Sequence, residues 1–276
     1  MVRHPARPTM IAALLGLAIL VPTDVSAQRE ARDDEYAVND PRVRHRTYTM
    51  EETGETIPYA LFVPSGYDPA SPAPLMVSLH GAGRQYDWLM NYAGLLDLAE
   101  HHGYVVVTPL GYTRRGGYGY RGDSEQDWRA EQDVMNVFRL VKDDLAIDEE
   151  RIYLWGHSMG GAGTYYLASR YPDVWAGLAA VAGGSMTAGY VDADAIRHIP
   201  FLVIQGSQDR VVPAARARES VAKMRELGMQ HLYIEIPGGD HSLFISRDPE
   251  VVEHLFSFFN LVSKKTQAGA PNESTP

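Results

Sequence analysis

The apolar run Ile152-Tyr153-Leu154-Trp155 leads directly into Gly156-His157-Ser158-Met159-Gly160, and a stretch that can carry a helix follows from Ala162 to Tyr171. Few short segments constrain a chain more. A buried strand that turns at once into a helix through G-x-S-x-G forces the serine into a strained bend and lifts its hydroxyl clear of the sheet. Gly156 and Gly160 suit that bend because a Cβ at either place would collide with the neighbouring strand or helix. The bare pattern recurs by chance, so the reading rests on the strand before it and the helix after it.

A serine hydroxyl is a weak nucleophile near neutral pH and needs a histidine base oriented by a carboxylate. In alpha/beta hydrolases, which this strand, turn and helix resemble, the partners follow the serine in the order acid, then histidine, on loops after later strands. Phe201 to Gln205 reads as a short apolar strand with Gly206-Ser207-Gln208-Asp209 behind it, which nominates Asp209. Leu232, Ile234 and Ile236 alternate with polar positions in a further strand that ends at Pro237-Gly238-Gly239-Asp240-His241, which nominates His241. Asp192 and Asp194, after the strand near Gly177 to Val181, are the rival acids, whereas Asp240 is too close to His241 in sequence to approach its imidazole correctly. His231 and His254 suit ordinary surface roles, and His157 suits packing beneath the turn. Residues 80–83, His-Gly-Ala-Gly, directly follow the apolar strand Pro74 to Leu79. Small residues there let backbone amides approach a developing oxyanion, so Gly81 or Ala82 is expected to give one N–H and Met159 the other.

With the His80-to-Gly83 loop, the Asp133-to-Val137 helix, the Ile147-to-Tyr153 lead-in and Gly156 to Gly161, the chain resembles the alpha/beta-hydrolase superfamily over roughly Pro58 to Leu261. Within it the chain is similar to the feruloyl esterase and polyhydroxybutyrate depolymerase-like group of serine esterases. The resemblance implies an α/β fold, a mostly parallel central sheet with helices on both faces, and cleavage of carboxylic esters through an acyl-enzyme. Small-molecule or polysaccharide-linked esters, such as feruloyl or acetyl esters of plant polysaccharide, are the substrates it suggests. Polymer depolymerases of the group often carry cysteines and a polymer-binding module, and this sequence has neither, so the substrate does not carry over. A prolyl-oligopeptidase-like serine peptidase and a non-catalytic binding protein on the same scaffold are the alternatives.

The pattern along the chain agrees. Arg42 to Met50 and Thr56 to Val63 read as two antiparallel edge strands, after which strands and helices alternate, as a parallel sheet covered on both sides requires. The helix faces are traced by Trp88, Tyr92, Leu95, Leu96 and Ala99, by Val134 to Leu145, and by Val252 to Phe259. One long irregular segment lies between Leu110 and Trp128, rich in glycine. It follows a strand at its C-terminal end, the side where open parallel sheets place ligands. Tyr112, Tyr118, Tyr120 and Trp128 are therefore expected to form a mobile, aromatic substrate wall, against the plainer reading that they pack down on the domain.

At the amino terminus, Arg3 and Arg7, the apolar run Met10 to Val21 and the small-residue site Val25-Ser26-Ala27 read as a cleaved export signal over residues 1–27. The run is too short to span a bilayer, which takes roughly 20 residues. Residues 28–263 form the expected catalytic domain, and 264–276, polar and rich in small residues, a disordered tail. Export to the periplasm or medium is the consequence. A formal charge of −10 does not favour nucleic acid or anionic membranes as partners. Cysteine is absent, which rules out disulfides and a lipoprotein anchor. No H-E-x-x-H or similar spacing supports a metal, and the expected chemistry calls for no cofactor. Oligomeric state is not legible.

Overall fold

The computed structural model describes residues 38–268. The expected export signal and the last residues of the tail lie outside that range. Eight strands form one sheet in the order β1-β2-β4-β3-β5-β6-β7-β8. They are β1 (Val43–Thr49), β2 (Thr56–Phe62), β3 (Ala73–Leu79), β4 (Val105–Pro109), β5 (Ile147–His157), β6 (Gly177–Val181), β7 (Phe201–Gly206) and β8 (His231–Ile236). β1 and β2 pair antiparallel, β2 joins β4 antiparallel, and every pairing from β4 to β8 is parallel. The edge hairpin and the parallel body are both as the hydrophobic pattern predicts.

Continuous apolar runs mark strands covered on two faces. Every residue of β3, β4, β6 and β7 is buried, whereas the edge strands β1 and β8 keep partial exposure. Side chains alternate across the sheet with period two. Leu75, Val77, Leu79 and Leu154 face a core shared with α2 (Glu125–Asp144), α3 (Met159–Arg170) and α4 (Ala214–Glu226). Met76, Tyr153 and Trp155 face the opposite core, under α1 (Leu95–His102), α5 (Leu243–Ser246) and α6 (Pro249–Leu261). Ser78 is buried among these apolar groups, and its hydroxyl accepts the Trp155 indole N–H at 2.6 Å.

The chain leaves β3 for β4 on one side and returns to β5 on the other, so β3 and β5 are neighbours from which the connections diverge. Such a switch point opens a crevice beyond the carboxyl ends of its strands. The His80-to-Gly83 loop follows β3 and Ser158 follows β5, so both reach that crevice.

Two expectations change. The segment after β4 is not a mobile wall but is pinned at several points. The buried Asp133 carboxylate accepts the Tyr112 amide at 2.8 Å and the Tyr48 hydroxyl at 2.7 Å, and the Arg114 carbonyl accepts the Gly83 amide at 2.6 Å. Its Gly111 gives room rather than mobility: a Cβ there would lie 2.5 Å from the Tyr118 ring, as would one on Gly163 of the facing helix at 2.6 Å. The polar stretch from Lys264, expected to be disordered, begins as the short helix α7 (Lys264–Ala268), because the Gln267 amide donates to the Trp175 and Ala176 carbonyls.

Candidate active site

At the end of β5, Ser158 adopts φ 57°, ψ −112°, a conformation costly for any residue with a Cβ. It persists because the surroundings leave no alternative. The Ser158 amide donates to the Val181 carbonyl at 2.8 Å. A Cβ on Gly156 would sit 2.2 Å from Gly160, one on Gly160 would sit 1.9 Å from the Leu79 carbonyl oxygen, and one on Gly183 would sit 2.0 Å from the Ser158 carbonyl oxygen. Three backbone contacts thus hold the turn; Gly156 and Gly160 belong to the motif, whereas Gly183, distant in sequence, has no local signal.

From the loop after β8, His241 Nε2 stands 2.9 Å from Ser158 Oγ, and its Nδ1 lies 2.8 Å from Asp209 Oδ2. Asp209 is buried in the loop after β7. Burial alone would raise its pKa, but the hydrogen bonds from His241, Val212 and Val211 outweigh that effect and hold the carboxyl below 3.8. An ionised Asp209 fixes the tautomer: His241 Nδ1–H donates to the carboxylate, and Nε2 keeps its lone pair for the Ser158 hydroxyl. The other Asp209 oxygen accepts the Val211 and Val212 amides, each at 2.8 Å, and Gln205 Nε2 donates to Oδ2 at 2.9 Å. Gln205 is a buried amide at the end of an apolar strand, and that mismatch is its signal in the sequence. Asp192 instead accepts the Ala195 amide, and Asp240 accepts the Ser242 and Leu243 amides, which caps the turn after His241. His231 bonds the Met229 carbonyl at its strand entrance, and His254 is exposed on α6.

His157 lies beneath the turn as expected and does more than pack. Its Nε2–H donates to the His241 carbonyl at 2.7 Å, and its Nδ1 accepts the Tyr92 hydroxyl. Burial pushes its pKa down to about 4, so the ring is neutral and the donor and acceptor roles are fixed. This places a rigid strut between α1's approach and the backbone of His241.

Ala82 and Met159 both line the space beside Ser158. Met159 opens α3, so its N–H has no helical carbonyl to bond, and the helix N-terminus adds partial positive charge. Gly81 approaches the turn closely: a Cβ there would meet Ser158 Cβ at 3.5 Å. The buried His80 ring lies between the Gly81 and Leu110 carbonyls, at 2.9 and 2.8 Å, and burial lowers its pKa.

Two hollows meet at Ser158. One, of about 340 Å³, includes Ala82, Tyr120, Met159 and Tyr190; the other, of about 220 Å³, includes Gly81, Ala82, Trp88, His157 and His241. Of the aromatic residues assigned to a substrate wall, only Tyr120 lines either hollow. Tyr118 is fully buried, with its hydroxyl donating to the His80 carbonyl at 3.0 Å, so it supports the loop from behind. Tyr112 is turned to Glu55 and Arg129, and Trp128 stands exposed in the first turn of α2. A ring that fits between glycines gains more from burial than from facing solvent, which periodicity could not reveal. Trp88, expected on a helix face, lines the smaller hollow instead, and Tyr190, without a signal in the sequence, lines the larger.

The family model for esterase PHB depolymerase matches residues 57–197, which include the β3 loop and Ser158 but stop before Asp209 and His241. A bifunctional acetylxylan esterase/xylanase of Neocallimastix patriciarum is 30% identical over 152 residues, 55% of this chain and 21% of that protein. The chain therefore spans about a fifth of that relative. A thermostable esterase of known structure superposes with a TM-score of 0.63 at 26% identity, covering 80% of this chain and 63% of the other. A ferulic acid esterase from Anaeromyces mucronatus gives a TM-score of 0.63 at 19% identity, covering 83% and 95%, a likeness of fold.

Proposed function

The chain belongs to the esterase PHB depolymerase family, and from that premise we propose that it is an exported serine esterase working through an acyl-enzyme. One observation carries the reading: Asp209, His241 and Ser158 form an unbroken chain of hydrogen bonds at 2.8 and 2.9 Å. Ser158 Oγ attacks the ester carbonyl while His241 Nε2 takes its proton. The negative oxygen that forms is met by the Met159 N–H and by the N–H of Ala82 or Gly81, donors whose individual loss typically slows such reactions on the order of 100 to 1,000-fold. His241 then returns the proton to the leaving alcohol. Water, deprotonated by the same nitrogen, releases the acid and restores Ser158.

Residues 1–27 act as the export signal, 28–263 as the catalytic domain, with destination in the periplasm or the medium. Among the described residues no helix is long and apolar enough to cross a membrane. The ester is small or polysaccharide-linked, with acetyl and feruloyl esters among those it cleaves. The test combines Ser158→Ala with a fluorophosphonate probe. The wild-type protein is expected to hydrolyse acetyl and feruloyl esters and gain one adduct, mapped to Ser158 by peptide mass. The variant is expected to do neither while keeping its circular dichroism. Turnover by the variant, or an adduct elsewhere, overturns the assignment. Secreted material should begin at Gln28 by intact mass.

A further inference from the structure

The two hollows are chemically unequal, and His241 tells them apart. The group that returns a proton to the leaving alcohol must face it, and His241 lines the smaller hollow only. The leaving alcohol therefore belongs there, and the acyl chain belongs in the larger hollow. That assignment rests on the esterase reading above.

The acyl hollow contains two arginines, Arg121 and Arg216, and of the described residues lining it none is Asp or Glu. Neither arginine forms a salt bridge among the described residues. By contrast, Arg42, Arg46, Arg129, Arg151 and Arg218 each hold a carboxylate. On a chain of formal charge −10, two guanidiniums thus line one hollow whose described lining holds no carboxylate to neutralise them. Arg121 is also held in place. Its guanidinium lies 5.6 Å from the centroid of the Tyr120 ring, and its Nη2 is 3.8 Å from the Met159 sulfur. Tyr120 in turn packs on Tyr190, with centroids 5.1 Å apart at 38°. Gly117 keeps the space free, since a Cβ there would lie 2.6 Å from Arg121 Nε. A volume of about 340 Å³ suits a short chain, not a polymer segment.

We infer that the larger hollow binds acyl chains ending in a carboxylate, so that half-esters of short dicarboxylic acids are preferred substrates, their free carboxylate held by Arg121 and Arg216. A planar fork of N–H donors matches a carboxylate, and a positive hollow concentrates anions from solution. Both side chains are solvent-exposed, so each contributes modestly.

The experiment compares monoethyl adipate with ethyl hexanoate, which carries a methyl group where the adipate has its free carboxylate. The wild-type protein is expected to show the higher kcat/KM on monoethyl adipate, with the advantage shrinking as sodium chloride rises from 20 to 500 mM as charges are screened. Arg121→Gln and Arg216→Gln should each reduce the adipate-to-hexanoate ratio about fivefold, mainly through KM. Calorimetric titration of Ser158→Ala with monoethyl adipate gives a readout independent of turnover, and the added arginine substitutions should weaken that binding by a similar factor. A ratio unchanged by either arginine substitution overturns the inference. Arginine-dependent binding without hydrolysis of either ester by the wild type would leave it standing and overturn the esterase reading instead.

Discussion

His157 makes this fold sensitive to acid by an amount that follows from its burial. Its folded-state pKa is about 4, against 6.5 for an ordinary histidine, chiefly because burial opposes the charged ring. Between those values the unfolded chain holds a proton that the folded one does not. Stability is therefore fully present above pH 6.5, falls as pH drops, and stops falling below about 4. At about 1.4 kcal/mol per unit the whole interval is worth about 3 kcal/mol, of which about 2.5 is lost by pH 4.5. His157→Gln keeps an amide N–H for the His241 carbonyl and an oxygen for the Tyr92 hydroxyl, but cannot titrate. Urea unfolding at pH 7.5 and 4.5 should show the variant's stability relative to wild type improving by about 2.5 kcal/mol on acidification. Asp133 supplies an opposite control. Burial raises its pKa from 3.8 to about 6, so its contribution is fully present below 3.8 and is lost as pH rises through 6. Asp133→Asn should accordingly steepen the acid loss that His157→Gln relieves. Parallel stability curves for wild type and His157→Gln, within about 0.5 kcal/mol, would refute the argument that His157 is neutral by burial.

Asp209→Asn should lower kcat steeply with little change in melting temperature, since the amide favours the wrong His241 tautomer, up to roughly 10,000-fold in comparable triads; steady-state kinetics on an acetyl ester check it. Gly160→Ala should abolish turnover and soluble yield together, because its Cβ would lie 1.9 Å from a backbone oxygen that no rotamer change can move. Tyr118→Ala should cost about 3–5 kcal/mol by urea unfolding, as expected for a fully buried ring. Trp128→Ala should leave both stability and ester selectivity within error, measured on the same ester panel, because the ring stands exposed on α2.

What the sequence determined by itself is whatever depends on local order along the chain. Apolar runs separated by amphipathic stretches dictate a parallel sheet covered on both faces, and Gly156 to Gly160 dictate a strained turn, because both follow from periodicity and from the absence of a Cβ. The order of loops behind β5, β7 and β8 likewise pointed to Ser158, Asp209 and His241, since parallel strands bring their carboxyl ends together. Tertiary structure decided everything that depends on which side chain fills which space. Tyr118 and Tyr120 are two residues apart in the same glycine-rich segment, yet one is sealed behind His80 and the other faces the hollow at Ser158. Asp133, Gln205 and Tyr92 looked like ordinary polar or helix-face residues until burial showed that each must bond a specific partner. Arg121 and Arg216 are 95 positions apart in the chain, and only folding brings them into one hollow. Contacts between residues distant in sequence carry no local signature, because they are selected by shape and charge after the strands have paired.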